Sequence, residues 1–256
     1  MTDPETAPET EIVADYDVRS PASRTLLTVV GTILAVAIIG GLVLGASILK
    51  RDTTVSTSDI ELGDSTQIVI DAGSSDLRIV QGDPDVVRVT ARITSGLRKT
   101  DFRIGRRGDE IKIVAGCQTW LNPGCGVDTT LEIPEGFPVE IRTTSGDVVV
   151  RKVVEGVLKI VSLSGDIDAS GLELDELQAA TTSGDIDAVF AVQPFGLKAA
   201  TMSGDITASI PDGKRTYVVT TTSKSGDVAS QLDSDPDGRG LVRATSGSGD
   251  IDLRVE

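Results

Sequence analysis

Six aspartates recur in the second half of the sequence, each in the phrase Ser-Gly-Asp followed by Ile or Val. The steps between them are 19, 19, 20, 22 and 23 residues, and near-constant spacing is typical of a protein built from stacked repeats. Carboxylates stacked in this way could bind Ca²⁺, and pairs such as Asp166 and Asp168 are similar in kind to the acid pairs of glycosidases. The repeated aspartates are Asp147, Asp166, Asp185, Asp205, Asp227 and Asp250.

A structural role explains the same aspartates without a bound ion or a catalytic pair. An Asp side chain accepts hydrogen bonds from backbone N–H groups in a turn, Gly supplies a positive φ, and Ser caps more weakly. A catalytic pair is needed once rather than six times, and the sequence has no histidine, GxSxG motif or phosphate-binding loop. We therefore predict turn-capping aspartates and no enzyme activity, with weak Ca²⁺ sites as one alternative. A membrane-tethered, polysaccharide-active β-helix enzyme that uses outward Asp pairs is the other.

The residues around each phrase predict an all-β repeat fold. Alternate residues on the approach become smaller, as in Leu177, Ala179, Thr181 and Ser183, and this alternation predicts that all four face inward. After the aspartate the inward set changes phase, so the chain must turn a corner at the glycine. A β-solenoid has this property, whereas the runner-up, a β-sandwich, gives no reason for the same tripeptide in every copy.

These patterns divide the folded part of the chain into two predicted regions. Residues 141–256 form the solenoid, and residues 59–140 form a β-rich cap that contains a cysteine loop. The strand that ends at Glu256 would leave an open edge, through which copies of the chain could associate.

The main concentration of basic residues lies between residues 98 and 112, where two short strands and a Gly-containing turn predict a β-hairpin. In a chain with a net charge of −15, this hairpin could contact an anionic wall polymer or lipid headgroups; alternatively, it is only the solvent face of a two-stranded ribbon. The overall acidity argues against nucleic acid as a partner. The predicted partner surface, with the single tryptophan added, comprises Arg98, Lys99, Arg103, Arg106, Arg107, Lys112 and Trp120.

Cys117 and Cys125 are the only cysteines, and the turn-rich segment between them can bring them within bridging distance. Two thiols without histidine are too few for a zinc site. We predict a disulfide, which would place the large domain outside the cytoplasm, whereas two unpaired thiols in a cytoplasmic domain are the alternative.

Residues 25–49 are free of charge, and as a helix they would reach about 37 Å, enough to cover a hydrocarbon core of about 30 Å. We predict a single transmembrane helix, with a cleaved signal peptide as the alternative. A disordered cytoplasmic tail, 1–24, precedes the helix and a linker, 50–58, follows it. The flanking charges tie, so the predicted disulfide decides the orientation. Gly41 and Gly45 form a GxxxG pair that could join two helices.

The motifs together resemble a family of bacterial β-strand-repeat proteins of unknown function that carry the label "putative adhesin". The resemblance is carried by the Thr-Thr-Ser-Gly-Asp repeats, the phrase at 131–136 and the related phrase at 75–79, and it covers about residues 60–256. It implies a β-helical or roll-like domain at the cell envelope, frequently on one membrane anchor, with no catalytic residues to transfer. We expect a single-pass, extracytoplasmic module for binding, adhesion or envelope sensing, whose partner is a surface ligand.

Overall fold

The structure is a computed structural model of the 256-residue chain, and it describes residues 21–49, 52–95, 101–108, 110–116 and 125–256. The chain divides into two units, the first ending at Gly45 and the second comprising Ala46–Glu256.

The helix α1, Pro21–Leu49, lies in the first unit as far as Gly45, and its last four residues belong to the second. Residues 21–24 of the predicted disordered tail therefore belong to a helix, while residues 1–20 lie outside the described residues. Side chains of α1 are described only at residues 29–42 and 45, and within the described part of the chain no helix is long and apolar enough to cross a membrane. The transmembrane segment 25–49 and the GxxxG contact stay predictions.

From Asp52 onward the described part of the second unit is all-β, which confirms that part of the predicted fold class, and the 19 described strands form a ten-stranded and a nine-stranded sheet. The strands are β1 (Asp52–Glu61), β2 (Gln67–Gly73), β3 (Asp76–Gln81), β4 (Val86–Ser95), β5 (Asp101–Arg107), β6 (Glu110–Gly116), β7 (Gly126–Ile133), β8 (Val139–Thr143), β9 (Val148–Arg151), β10 (Val157–Ser162), β11 (Ile167–Leu172), β12 (Glu176–Ser183), β13 (Ile186–Phe190), β14 (Gly196–Ser203), β15 (Ile206–Ile210), β16 (Tyr217–Ser223), β17 (Val228–Ser230), β18 (Gly240–Ser248) and β19 (Ile251–Val255).

Each repeat forms one coil of a stack. A coil contributes one strand to the nine-stranded sheet, turns at the Ser-Gly-Asp phrase and contributes the next strand to the ten-stranded sheet, as β12 and β13 do. Equivalent strands of neighbouring coils pair in parallel, so that Leu158, Leu177 and Leu197 are direct neighbours. Among the described strands, antiparallel pairing is confined to those at one end of the stack, β1, β4, β5, β6 and β7. The pairing is that of the predicted solenoid rather than of a sandwich of hairpins.

The core lies between the two sheets. Leu177 and Ala179 of β12 are buried, as are Ile186 and Ala188 of β13, and the residues between them along each strand are more exposed. Burying one Ile or Leu completely stabilises a fold by about 1.5–3 kcal/mol relative to leaving it exposed. The repeated apolar columns therefore hold successive coils in register.

The coils do not all stack in the order of the sequence. In the nine-stranded sheet β18 lies between β14 and β16, and in the ten-stranded sheet β19 lies between β15 and β17. The last coil of the chain is thus inserted into the stack, and the strand before Glu256 is paired on both sides. The prediction that this strand forms an open edge is wrong, because β16 and β17 form that end of the stack.

The region before residue 141 differs from the predicted cap. Strands β2 and β3 form a coil against β8 and β9, and β6 and β7 form another coil outside it. Strands β4 and β1 then extend the ten-stranded sheet by antiparallel pairing. Since β1 begins at Asp52, the predicted linker is wrong over 52–58.

Candidate functional site

The repeated aspartates form a ladder along the corner of the stack. The backbone N–H of each one donates to the carboxylate Oδ1 of an aspartate in the neighbouring coil, over N···O distances of 2.7–3.1 Å. The carboxylates therefore cap backbone groups of the adjacent coil rather than of their own turn. In spatial order this aspartate ladder is Asp76, Asp147, Asp166, Asp185, Asp205, Asp250 and Asp227.

The glycine of the phrase allows the coils to approach each other. A Cβ atom on Gly184 would lie 2.4 Å from the carbonyl oxygen of Gly165, and one on Gly165 would lie 2.2 Å from that of Gly146. Positive φ, the predicted reason for glycine, occurs at three of the six repeat glycines, among them Gly204 at 152°. Close backbone contact between coils is thus the more general reason for glycine at this corner.

A column of buried hydroxyl groups lies two residues before the serine of the phrase. Thr181 and Thr201 donate to the carbonyl oxygens of Gly165 and Gly184 over 3.3 and 3.2 Å, which satisfies carbonyl groups at the tight corner. The serine itself, such as Ser183, is exposed in all six copies. The prediction that the serine faces inward is wrong, because the chain already turns away from the core before it reaches the glycine.

The acid pairs at the corner are engaged in structural contacts. The Asp166 carboxylate accepts the N–H of Asp185, and the Asp168 carboxylate accepts a hydrogen bond from Arg151 over 2.8 Å. Burial, followed by the charge of Asp168, raises the pKa of Asp187, although a hydrogen bond from Thr207 opposes the rise. Within the described residues, no group of three or more acidic or cysteine side chains is placed to hold a metal ion.

The predicted basic hairpin is formed by β5 and β6. Arg103 and Arg107 are exposed, and Lys112 lies in register with Gly105 between them. Arg106 is exposed too, but it donates to the carbonyl oxygens of Glu61 and, over 2.8 Å, of Leu62. Arg106 therefore connects the hairpin to the end of β1 and to the residue after it, which leaves Arg106 less suited to partner binding than Arg107.

Four residues of the predicted sites, Arg98, Lys99, Cys117 and Trp120, lie outside the described residues. Cys125 directly precedes β7 and is not a free thiol. The disulfide between the two cysteines stays a prediction.

The hairpin continues into a row of polar residues across the nine-stranded sheet. From Lys112 the row passes through Val69 to Glu140 and Lys159, and from there through Gln178 to Lys198 and Arg243. Apart from Val69, which is apolar and buried, these residues alternate with buried ones and so lie on the solvent side of the sheet. We call this surface the basic face and define it by Arg103, Arg107, Lys112, Arg142, Lys159, Lys198 and Arg243.

Several cations of the basic face are fixed by carboxylates. Glu140 contacts Arg142 at 2.9 Å and Lys159 at 3.1 Å. Burial raises the pKa of the Glu140 carboxyl, but the hydrogen bonds from Lys159 and Arg142 outweigh it, so the pKa lies below its ordinary value. Lys112 and Arg243, at the two ends of the row, form no ion pair with a described residue. Arg107 likewise forms none, so these three charges have no carboxylate partner among the described residues.

A shallow groove of about 170 Å³ runs beside the row of cations. Ala180 and Ala200 form its floor and Val161 lines it, while the charged row borders it. The next row along the strands exposes Leu163 and Met202, at 54% and 66% of their surfaces. The basic face thus places apolar surface beside positive charge, an arrangement suited to an anionic partner with apolar parts.

Lys159, Lys198 and Arg243 were not predicted as part of a binding surface, although the sequence contains a signal for them. Lys159, Lys198 and Arg243 occupy the same outward column of the repeats, between an inward Leu or Val and an inward Ile or Ala. A comparison of outward columns would have shown that they lie on one surface.

A search of curated protein sequences found no match. Among solved structures, the chain is similar to a "putative cell adhesion protein" from Clostridium sporogenes, with a TM-score of 0.51, 13% identity and coverage of 80% of this chain and 100% of the other. Another similar structure is a "putative adhesin" from Bacteroides fragilis, with a TM-score of 0.41, 11% identity and coverage of 79% and 97%. A family model described as Toastrack DUF4097 matches residues 128–256, just over half of the chain. These residues include all six Ser-Gly-Asp corners, and the chain therefore belongs to the Toastrack DUF4097 family of β-repeat proteins.

Proposed function

We propose that the protein is a single-pass, membrane-anchored binding module whose β-domain lies outside the cytoplasm and contacts an anionic polymer of the cell envelope through the basic face. The observation that carries the proposal is the row of cations from Lys112 to Arg243 on a chain whose net charge is −15. Local positive charge on an acidic protein attracts an anionic partner, while the remaining surface repels indiscriminate contacts.

Two features of the sequence support the location. The charge-free segment 25–49 has the length and composition of a membrane anchor. A disulfide between Cys117 and Cys125 would require an oxidising compartment. The similar structure described as a "putative cell adhesion protein" agrees with a role in binding rather than catalysis.

The repeated corner is a weaker candidate for the contact. Its aspartates carry negative charge, and their carboxylates already accept backbone hydrogen bonds from neighbouring coils. Fewer charged groups of the basic face are already bonded within the protein, because Lys112 and Arg243 form no ion pair with a described residue.

Binding to a defined polyanion tests the proposal. The full-length chain, purified in a mild detergent, is titrated with dextran sulfate and with neutral dextran at low and at physiological salt. We expect binding to dextran sulfate alone, with an affinity that falls as salt increases. A double variant, Lys112→Gln with Arg243→Gln, is expected to bind about two- to thirtyfold more weakly, since exposed charge pairs contribute about 0.2–1 kcal/mol each.

Arg78→Gln is the matched control, because Arg78 is an exposed cation on the solvent side of the ten-stranded sheet. This variant should bind dextran sulfate as the parent does. Failure of the parent to prefer dextran sulfate, or an equal loss in Arg78→Gln and the double variant, would overturn the proposal.

A further inference from the structure

A second cluster of cations lies at the turns that lead from the ten-stranded sheet back to the nine-stranded sheet. Three of these turns meet at a cavity of about 490 Å³, and they contribute Phe195, Lys214, Arg215 and Arg239. We call this the corner pocket. It shares no residue with the basic face and lies at the opposite end of the strands from the aspartate ladder.

The out-of-order insertion of the last coil builds the corner pocket. Strand β18 begins between two other coils: the N–H of Gly240 donates to the Thr216 carbonyl oxygen, and that of Leu241 donates to the Phe195 carbonyl oxygen, both over 3.0 Å. Arg239, directly before β18, is thereby placed between Phe195 and the turn that contains Arg215. In a stack in sequence order the turn of Arg215 would lie between those of Phe195 and Arg239, whereas the insertion makes the start of β18 the direct neighbour of Phe195.

The turns around the pocket are held in place by their own contacts. The Gln193 side chain accepts the Arg215 backbone N–H over 2.9 Å and donates to the Arg215 carbonyl oxygen over 3.3 Å. The Tyr217 hydroxyl is buried and donates to the Pro194 carbonyl oxygen over 2.9 Å. The pocket is therefore organised before a ligand arrives, which reduces the entropy that binding costs.

The cations of the pocket are poorly compensated. The Arg215 guanidinium lies 3.6 Å from the centre of the Phe195 ring, and its Nε is buried without a hydrogen-bond partner. Lys214 and Arg239 are exposed and form no ion pair within the described part of the chain. Exposed cations without a carboxylate partner favour an oxyanion bound beside them.

Other groups of the pocket limit the class of ligand. Phe195 keeps 55% of its surface exposed, which offers an apolar platform for the flat side of a sugar ring. Asp237 also lines the pocket, and its carboxylate can accept hydrogen bonds from hydroxyl groups while repelling a bare anion. Arg is well suited to planar, bidentate recognition of carboxylate and phosphate.

We propose that the corner pocket binds a sugar residue that carries a carboxylate or a phosphate group, as found in acidic polysaccharides and in sugar-phosphate polymers. The guanidinium groups and Lys214 bind the oxyanion, Phe195 packs against the ring, and Asp237 accepts hydrogen bonds from the hydroxyls. The two sources share this chemistry and are separated by the probes below.

Ligand-observed NMR titrations of the full-length chain in detergent test the proposal. The probes are glucuronic acid, glucose 6-phosphate, glucose and inorganic phosphate. We expect glucuronic acid or glucose 6-phosphate to bind about tenfold or more tightly than glucose, because charge-assisted hydrogen bonds are stronger than neutral ones. The tighter of the two identifies the source, and inorganic phosphate should bind more weakly than either because it lacks the ring.

Arg239→Gln and Lys214→Gln each remove one cation, and each should weaken binding of the charged sugar about tenfold, whereas the Arg78→Gln control should leave it unchanged. Thermal unfolding confirms that each variant folds, and a variant that does not fold is replaced by the other. Equal binding of glucose and both charged sugars would overturn the proposal, as would equal affinities in the pocket variants and the control. Binding of dextran sulfate is tested on other residues. A failure of the sugar-binding proposal therefore does not decide whether the basic face binds a polyanion.

Discussion

Gly184→Ala tests whether close backbone contact between coils explains the repeated glycine. The added Cβ would lie 2.4 Å from the Gly165 carbonyl oxygen and 3.1 Å from the Asp166 Oδ1. To relieve the overlap the two coils must separate, which also weakens the hydrogen bond between the Asp185 N–H and Asp166, now 2.9 Å long. Overpacking costs about 1–3 kcal/mol and a weakened hydrogen bond about 1 kcal/mol, so we expect a loss of about 2–4 kcal/mol.

For a folded unit of about 200 residues, this loss corresponds to a melting temperature about 5–15 °C lower. The measurement is thermal and urea unfolding followed by far-ultraviolet circular dichroism. The urea slope should be unchanged, since the surface exposed on unfolding stays the same.

Gly105→Ala is the matched control, because an added Cβ there meets no atom within 4 Å and Gly105 has no positive φ. It should leave stability unchanged or raise it by up to about 1 kcal/mol through the reduced freedom of the unfolded chain. If Gly184→Ala stays within about 0.5 kcal/mol of this control, the account of the corner by close contact is refuted.

Three further predictions concern the ladder, the outward acids and the inserted coil. Asp185→Ala should lower the free energy of unfolding by about 1 kcal/mol, whereas Asp185→Asn, which keeps an acceptor oxygen for the Asp205 N–H, should stay within about 0.5 kcal/mol of the parent in urea unfolding. Because folding raises the Asp187 pKa, stability falls as pH rises above the ordinary Asp pKa of about 3.9. Asp187→Asn should therefore raise the melting temperature at pH 7, and this gain should disappear below about pH 4. An unchanged gain at pH 3 would contradict this cause. Deleting residues 250–256 removes the interior strand β19 and should unfold part of the stack, seen as lost strand signal in circular dichroism; an intact fold with only a smaller oligomer in chromatography would restore the open-edge hypothesis.

The local part of the fold could be predicted from the sequence, because it depends on the alternation of neighbouring residues. Leu177 and Ala179 are buried as their spacing indicates, and the corner falls within the Ser-Gly-Asp phrase. The order of the coils could not be predicted. Val242 of β18 pairs with Leu197 on one side and with Val219 on the other, and these apolar residues are too similar to indicate which coil is the neighbour. Parallel columns of similar apolar residues specify register but do not identify the neighbouring coil.

The candidate sites also differ in whether the sequence could predict them. The outward column that holds Lys198 and Arg243 is present in the repeats and could have been found from them. The corner pocket could not, because Phe195 and Arg239 are 44 residues apart and meet only through the insertion of β18. The inward assignment of Ser183 failed because alternation was extended to the last residue of β12, where the strand has already turned away from the core.

The central claim is that the repeated aspartates maintain the stack while binding takes place on the basic face. One comparison tests both parts: dextran sulfate titrations of Asp185→Asn and of Lys112→Gln with Arg243→Gln, both verified as folded. The account predicts that Asp185→Asn binds at least as tightly as the parent, since it removes a negative charge, and that the double variant binds about two- to thirtyfold more weakly. Loss of binding in Asp185→Asn together with full binding in the double variant would contradict the account.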